Sequence, residues 1–285
     1  RAMKASRFKG EKGQLLSLLA PSNLPLKRLV LLGIGKAKDI DDKRVQDAGG
    51  HIVAGLATSG ESTVQIAVDA VKGTSLGAGD IATHLAFGAR LRSYRFDKYR
   101  TKEKPKDKPS LKTLIILVKG HESVRKAFVP MEKTAAGVFL ARDLVSEPSN
   151  VLYPEALAEQ AKVLEKLGVR VGVLNRAKLR KLGMGALLGV AQGSAHSPCV
   201  VMMQWKGAPK AKNKRPVAFI GKGVTFDTGG ISIKPSGGME DMKWDMAGAG
   251  VVIGLMKTLA GRKAKVNAVG VVGLVENMPS GSAQR

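Results

Sequence analysis

Short apolar runs alternate with stretches of helical periodicity along the first half of the chain. Residues 26–33 and 114–118 form continuous apolar runs of strand length, and the first run ends in a glycine turn. Between these runs, residues 41–57 and 62–72 carry apolar side chains at intervals of about 3.6 residues, which predicts two helices. This alternation favours an α/β domain whose parallel strands are covered on both faces.

A longer helical pattern then separates two parts of the sequence. Residues 123–144 place Ala, Val, Leu and Phe at helical intervals and stop before Pro148, which we expect to end the helix. The second half resumes the alternation, with helices predicted at 154–167 and 176–182 and strands at 169–174, 199–204, 217–220 and 268–275. The sequence therefore predicts an N-terminal α/β domain at 1–122, a linker helix at 123–150 and a C-terminal α/β domain at 151–285.

Length and composition agree with two soluble domains. The chain has 285 residues, and an apolar fraction of 44% is enough for a sizeable core. The single cysteine, Cys199, excludes a disulfide framework or a cysteine-rich zinc site and fits a reducing compartment. No run reaches the ~18 apolar residues of a membrane span, and the amino terminus lacks the apolar core of a signal peptide. Since position 1 is not methionine, we expect the sequence to start within a longer protein.

The chain is strongly basic, with a formal net charge of +24 that its two halves share equally. The densest basic runs are 102–108 and 206–215, and their Pro, Gly and Asn content favours solvated loops. The alternative is a surface that binds a polyanion through its phosphates. No aromatic residues stand between the lysines of these runs to stack on single-stranded nucleic acid.

The residues that could bind a ligand or take part in a reaction are concentrated in the stretch 217–250. Lys222 directly follows the apolar strand 217–220, so we expect it at the carboxyl end of a strand, where open α/β sheets place their ligand crevices. Glycines surround this lysine and would permit tight turns and close approach of a ligand to the backbone. They are Gly221, Gly223, Gly229 and Gly230.

Further along, apolar and polar side chains alternate at residues 231–234. This pattern predicts a strand with Ser232 and Lys234 on one face and the two isoleucines buried on the other. Asp241 and Asp245 stand four positions apart, so they would share one face of a helix that had begun there.

Spacing alone leaves three interpretations of this stretch. A phosphate cradle would suit the glycines and lysines, but neither the Walker A spacing nor a G-x-G-x-x-G opening a helix is present. A hard-cation site would use the carboxylates of Asp227 and Asp245 as oxygen ligands. Alternatively, these two aspartates could only form salt bridges with Lys222 and Lys234.

The same stretch resembles a known family. The run GKGVTFDTGGISIKPSGGMEDMKWDMAGAG at 221–250 is similar to the first catalytic motif of the leucyl aminopeptidases, the bacterial-type cytosol aminopeptidases. The intervals between Lys222, Asp227, Lys234 and Asp245 are those of the family. Supporting resemblances at 94–97, 141–150 and 183–194 extend the similarity over nearly the whole chain.

The resemblance implies roles for individual residues. The family carries two divalent metal ions, Mn²⁺ or Zn²⁺, and by motif match Lys222, Asp227 and Asp245 would be ligands of the more tightly held ion. A lysine can ligate only as the neutral amine, a form that nearby dications favour. Lys234 matches the catalytic lysine, which would stabilise charge developing on the scissile carbonyl oxygen. Met242 matches a residue of the pocket for the first side chain, where methionine suits leucine or another large apolar residue.

The resemblance also implies a context for the whole protein. It predicts a smaller N-terminal domain, a C-terminal catalytic domain with a mixed, mostly parallel central sheet, a cytoplasmic location, peptide substrates, no membrane association and assembly as a homo-hexamer. The family's second motif, N-T-D-A-E-G-R, is absent, so we expect a fragment truncated at both ends that is inactive alone. The alternative function is DNA binding through the basic surface, a role known among bacterial relatives.

Overall fold

The computed structural model describes residues 2–212 and 215–285. The chain forms two compact units, Arg1–Ala135 and Ala136–Arg285, and each is described by itself below. The domain boundaries proposed from the sequence, at 122 and 150, stay a prediction. Among the described residues, no helix has both the length and the apolar character that crossing a membrane requires.

The first unit contains two helices that pack closely and two small sheets. Its strands are β1 (Leu15–Leu19), β2 (Arg28–Leu32), β3 (Thr63–Ala67) and β4 (Thr113–Leu117), and its helices are α1 (Ala2–Ala5), α2 (Asp42–Leu56) and α3 (Ala78–Arg92). Helix α2 crosses α3 at glycines, since a Cβ at Gly88 would lie only 1.8 Å from the Gln46 carbonyl oxygen. Buried side chains such as Ile52 and Leu85 form the core beside this crossing.

The structure corrects two expectations for this unit. Residues 62–72 do not form a helix, because Thr63–Ala67 is strand β3. Its β-branched residues alternate, so Val64 and Ile66 face the core while their neighbours are exposed, and the period is two. The strands are also not all parallel: β3 pairs with β4 in parallel, whereas β1 and β2 form an antiparallel pair. Strand β1 and helix α3 were not predicted.

Helix α4 (His121–Ser146) runs from the first unit into the second, and a four-stranded sheet follows it. The strands are β5 (Arg170–Leu174), β6 (Cys199–Lys206), β7 (Val217–Asp227) and β8 (Asn267–Asn277), in the order β5-β6-β8-β7. The remaining helices are α5 (Pro154–Lys162), α6 (Arg176–Lys181), α7 (Gly185–Val190) and α8 (Ala247–Gly261). All predicted strands of this half are present, and the predicted helix at 154–167 ends as a 3₁₀ turn at Val163–Leu167.

The sheet is mixed, as expected, but the described strands are not mostly parallel. Strand β6 runs antiparallel to both β5 and β8, and only β7 and β8 pair in parallel. Parallel pairing requires a crossover connection, and helix α8 supplies one between β7 and β8. Two of the three pairings are therefore antiparallel.

Helices α4 and α8 cross at a point where both carry glycine. A Cβ at Gly137 would lie 2.4 Å from the Gly254 carbonyl oxygen and 2.0 Å from the Thr258 hydroxyl oxygen. Only glycine allows the two backbones to approach this closely. The crossing places α8, whose Ile253 and Met256 are fully buried, between α4 and the sheet.

Candidate functional site

Strand β7 is longer than the sequence predicted, and this changes the position of Lys222. The apolar run 217–220 continues through the glycines as far as Asp227, so Lys222 lies in mid-strand and not at its end. The interpretation of Gly221 and Gly223 as turn residues is wrong. A Cβ at Gly221 would lie 2.5 Å from the Gly248 carbonyl oxygen, so this glycine lets α8 pack directly on β7.

Lys222 pairs with Asp245 at the start of α8. The distance from Lys222 Nζ to Asp245 Oδ1 is 2.5 Å, and the lysine side chain is 59% exposed while that of the aspartate is 21% exposed. Asp245 ends a 3₁₀ helix at Met239–Trp244, so Asp241 and Asp245 do not share the α-helical face that the sequence suggested. The second oxygen, Asp245 Oδ2, is buried and has no hydrogen-bond partner.

Asp227 ends strand β7 and accepts three hydrogen bonds. Lys234 Nζ donates to Oδ2 at 2.8 Å, while the Gly229 amide and Asn277 Nδ2 donate to Oδ1 at 3.0 and 2.7 Å. Burial of this carboxyl opposes its ionisation, but these hydrogen bonds and the Asp245 carboxyl outweigh it and lower the pKa of Asp227 to about 2. Asp227 is therefore a carboxylate at any physiological pH.

The segment after β7 folds back as a loop that carries Lys234 to Asp227. The Lys234 amide donates to the Thr228 carbonyl oxygen at 2.8 Å, which closes the loop. The predicted alternation with buried isoleucines is wrong, since Ile231 is 97% exposed and Ile233 is 64% exposed. Lys234 Nζ also lies 3.1 Å from Met242 Sδ.

The structure thus brings together all five residues that the motif singled out. Lys222 pairs with Asp245, and Lys234 pairs with Asp227 and contacts Met242. The Asp245 carboxyl contributes to the lowered pKa of Asp227 and so relates the two ion pairs. Among the described residues, no group of three or more His, Cys, Asp or Glu side chains is placed to hold a metal ion. The cluster is partly open to solvent, since both lysine side chains are more than one-third exposed.

Sequence reasoning missed Asn277, which holds Asp227 in place. Asn277 is the last residue of β8, and the parallel register places it directly opposite Asp227. The two residues are 50 positions apart in the sequence, and no motif spacing links them. The pairing of β7 with β8 is the only signal that could have found it.

The structure places Cys199 and Ser194 in surroundings that do not suit the nucleophile of a thiol or serine hydrolase. Cys199 is buried in β6, and this burial raises the pKa of its thiol to about 11. Ser194 donates its hydroxyl to the fully buried Glu276 carboxylate at 2.5 Å and not to a histidine, the partner that activates a serine hydrolase nucleophile. Arg285 also pairs with Glu276, at 2.5 Å.

Comparison with protein-family models places both parts of the chain in one family. Residues 1–103 match the N-terminal domain of the cytosol aminopeptidase family, and residues 139–285 match its catalytic domain.

Curated proteins and solved structures show the same similarity. Probable cytosol aminopeptidases of Caulobacter vibrioides and a Bradyrhizobium species are 49% and 50% identical to this chain over its full length, and in each case the match covers 56% of the relative. The bottromycin maturation enzyme BotP in complex with Mn superposes with a TM-score of 0.81 at 30% identity, covering 99% of this chain and 58% of BotP. A mutant of tomato leucine aminopeptidase gives a TM-score of 0.78 at 30% identity, covering 100% of this chain and 54% of that protein. The chain therefore spans little more than half the length of the relatives that it matches.

Proposed function

The chain belongs to the cytosol aminopeptidase family, and on that premise we propose that the complete protein is a metal-dependent aminopeptidase. It releases N-terminal amino acids from peptides, with a preference for leucine and other large apolar residues. The observation that carries the proposal is the cluster of two lysines and two aspartates at β7 and the start of α8. The names of the curated relatives and the tomato leucine aminopeptidase support the same activity.

The residues of the cluster fit a divalent cation. Asp245 Oδ2 is a buried carboxylate oxygen without a partner, and Asp227 stays ionised because it is well hydrogen-bonded. Carboxylate and amine donors suit Mn²⁺ and Zn²⁺, and one solved relative is described as a complex with Mn. We assign Lys222, Asp227 and Asp245 as ligands of one of two such ions, with Lys222 releasing its ion pair to Asp245 and binding as the neutral amine.

When bound, the ions would polarise the scissile carbonyl and lower the pKa of the attacking water. Lys234 acts as the charged group of the mechanism. Its ammonium already points at Asp227, so a carbonyl oxygen beside that carboxylate would lie within reach of Lys234 Nζ as negative charge develops on it. Because this charge grows only during the reaction, the lysine stabilises the transition state more than the substrate.

Two neighbours prepare the site. Asn277 and the Gly229 amide bind Asp227 Oδ1 and so fix the orientation of the carboxylate before any ligand arrives. Met242 contacts Lys234, and its thioether would border the first side chain of the substrate. We assign Met242 to substrate binding and Lys234 to catalysis.

The proposal is tested with the complete protein and leucine p-nitroanilide. Replacing Lys234 by Met should lower kcat by about a hundredfold to a thousandfold, because one donor to the developing oxyanion is lost, while bound metal stays unchanged. The matched control is Lys265→Met, at an exposed lysine after α8, which should leave kcat unaltered. Full activity of Lys234→Met, or loss of metal from it, would contradict the assignment.

The ligand assignment has its own test. Asp245→Asn should lower the metal content of the complete protein, measured by inductively coupled plasma mass spectrometry, and activity should fall in proportion. Since only two carboxylates gather among the described residues, we propose that the 285-residue chain by itself does not hydrolyse the substrate. The complete protein is proposed to be a cytoplasmic hexamer, which sedimentation velocity checks.

A second candidate function is nucleic-acid binding, favoured by the net charge of +24. Of the two basic runs, 102–108 is exposed apart from Glu103, whose carboxylate pairs with Arg95, while 206–215 includes residues 213 and 214, which lie outside the described residues. Binding of duplex DNA should be measured at several salt concentrations. Affinity that falls steeply with salt and shows no sequence preference would reduce this function to nonspecific attraction.

A further inference from the structure

Met242 contacts a member of each of the two ion pairs in the charged cluster. Its carbonyl oxygen accepts a hydrogen bond from the Asp245 amide at 3.3 Å, and its thioether sulfur accepts one from Lys234 Nζ at 3.1 Å. The residue belongs to the 3₁₀ helix Met239–Trp244, which leads directly into Asp245. A chemical change at this sulfur would therefore act on Lys234, while the backbone of Met242 stays tied to Asp245.

The contact between Lys234 and Met242 joins a strong donor to a weak acceptor. An ammonium group has three donor protons, whereas a thioether sulfur accepts hydrogen bonds only weakly. Two of the protons of Lys234 are directed at Asp227 Oδ2, at 2.8 Å, and at Met242 Sδ. A stronger acceptor attached to the sulfur would therefore compete for the same ammonium group.

The sulfur of Met242 lies in a part of the protein that a small reagent can reach. Met242 is half-buried, and the Lys234 side chain beside it is 37% exposed. By contrast, Met246 and Met256 are 1% and 0% exposed and belong to the core. Met202 of β6 is 39% exposed, which makes it a suitable reference for a methionine outside the cluster.

We propose that Met242 is a modification site at which a hydroperoxide, such as hydrogen peroxide, converts the thioether to a sulfoxide. A sulfur lone pair attacks one peroxide oxygen, and the S–O bond forms as the O–O bond breaks. The departing hydroxide takes a proton from Lys234 Nζ and becomes water, and the hydroxyl group left on sulfur returns its proton to the lysine. Sulfur is oxidised by two electrons, the peroxide is reduced to water, and Lys234 is unchanged.

The product would turn off the site, a consequence that rests on the aminopeptidase function proposed above. The sulfoxide oxygen is a good acceptor attached to an atom that Lys234 Nζ already contacts at 3.1 Å. It would hold the ammonium and compete with the substrate oxygen on which negative charge develops. It would also make Met242 polar, which is unfavourable beside a large apolar side chain of the substrate.

Selective oxidation is tested without any assay of peptide hydrolysis. The complete protein is treated with hydrogen peroxide, quenched with catalase and digested, and oxygen addition is followed at Met242 and Met202 by mass spectrometry. A positioned proton donor accelerates a reaction by ~10²–10⁴. We therefore expect Met242, although it is less exposed, to oxidise at least about tenfold faster than Met202.

Lys234→Leu should remove this advantage, because the proton donor is lost, whereas Lys265→Leu at an exposed lysine should keep it. Slower oxidation of Met242 than of Met202 in the parent protein overturns the proposal. Equal oxidation of Met242 in the parent and in Lys234→Leu overturns it as well. These outcomes decide the modification site even if the complete protein proves not to be an aminopeptidase.

Hydrolysis of leucine p-nitroanilide tests the effect on the site. Peroxide should lower kcat by about tenfold to a hundredfold, less than the loss of Lys234 itself, because the ammonium remains nearby. Met242→Leu has a similar volume and no oxidisable sulfur, so it should keep the kcat of its own untreated sample. Met202→Leu should be inactivated like the parent. Equal inactivation of Met242→Leu and the parent contradicts the proposal.

Reversal distinguishes methionine from cysteine. Methionine sulfoxide reductases of both stereospecificities, supplied with dithiothreitol, should restore kcat and remove the added oxygen from Met242. Dithiothreitol alone should restore nothing, because Cys199 is buried. Recovery with dithiothreitol alone would assign the inactivation to Cys199, and a failure of kcat to recover once Met242 is reduced would assign it to other damage. Either result contradicts the proposal.

Discussion

Asn277 donates a hydrogen bond from Nδ2 to Asp227 Oδ1 over 2.7 Å, across the carboxyl ends of two parallel strands. The bond joins the last residue of β8 to the last residue of β7. It anchors the carboxylate that also accepts from Lys234, so the candidate site depends on the register of the sheet and not only on the motif around it.

Replacing Asn277 by Leu should therefore raise the pKa of Asp227 from about 2 toward its ordinary value of 3.8, since one of the bonds that favour the carboxylate is lost. The free energy of unfolding should fall by about 1.5–3 kcal/mol, the range for a hydrogen bond to a charged group. Carboxyl chemical shifts followed by NMR during acid titration measure the pKa, and urea unfolding measures the stability.

Asn267→Leu is the matched control. Asn267 exchanges two hydrogen bonds with the backbone of Ala208, at 2.9 and 3.1 Å, so its replacement should also destabilise the second unit. It should leave the titration of Asp227 unchanged. If both variants shift that titration equally, Asn277 does not act on Asp227 through their hydrogen bond.

Glu276 should make the second unit sensitive to acid. It is fully buried, which opposes ionisation, but hydrogen bonds from Arg285 and Ser194 outweigh this and lower its pKa below the ordinary value of 4.5. A carboxyl with a lowered pKa stabilises the folded state above pH 4.5, and this contribution is lost as the pH falls through the folded-state pKa. Unfolding free energy should therefore decline steeply in that acid range.

Glu276→Gln should flatten this decline and lower stability at neutral pH by about 3 kcal/mol, because it leaves Arg285 without its buried partner. Urea unfolding at a series of pH values measures both effects. The control is Glu240→Gln at an exposed position, which should reproduce the parent profile. A Glu276→Gln protein with the parent pH profile would show that other groups cause the acid sensitivity.

Gly137→Ala should destabilise the chain by about 1–3 kcal/mol, because the added methyl group overpacks the crossing of α4 with α8. Because alanine is otherwise the better helix former, a loss of stability in Gly137→Ala would identify overpacking at the helix crossing as the cause. Gly189→Ala in α7 is the control, since a Cβ there would meet nothing within 4 Å. That variant should be more stable by about 0.5–1 kcal/mol, and equal effects at the two sites would exclude close packing as the cause.

Cys199 should resist thiol reagents in the folded protein. Its burial and its pKa of about 11 leave almost no thiolate at pH 8. Reaction with Ellman's reagent should be slower by about a hundredfold or more in buffer than in 8 M urea, with the urea sample serving as the control for reagent and thiol. Rapid labelling in buffer would mean that β6 opens locally or that the thiol is accessible.

Much of the secondary structure was predictable because the local pattern agreed with the tertiary environment. Residues 41–57 form α2 with Asp41 as its cap, and the runs at 114–118 and 268–275 are strands β4 and β8. The prediction failed at 62–72, where a short segment satisfied a helical period but its alternating side chains belonged to β3. A segment this short can fit both the helical period of about 3.6 residues and the strand period of two. Only its pairing with β4 decides that it is a strand.

The sequence by itself determined the identity and order of the reactive groups, because Lys222, Asp227, Lys234 and Asp245 lie within one short motif. Tertiary structure decided how they meet: α8 packs against a glycine in β7, a loop returns Lys234 to Asp227, and β8 delivers Asn277 from 50 residues away. A linear pattern records neighbours along the chain, whereas sheet register and helix packing depend on contacts between distant segments. Those contacts are visible only once the chain has folded.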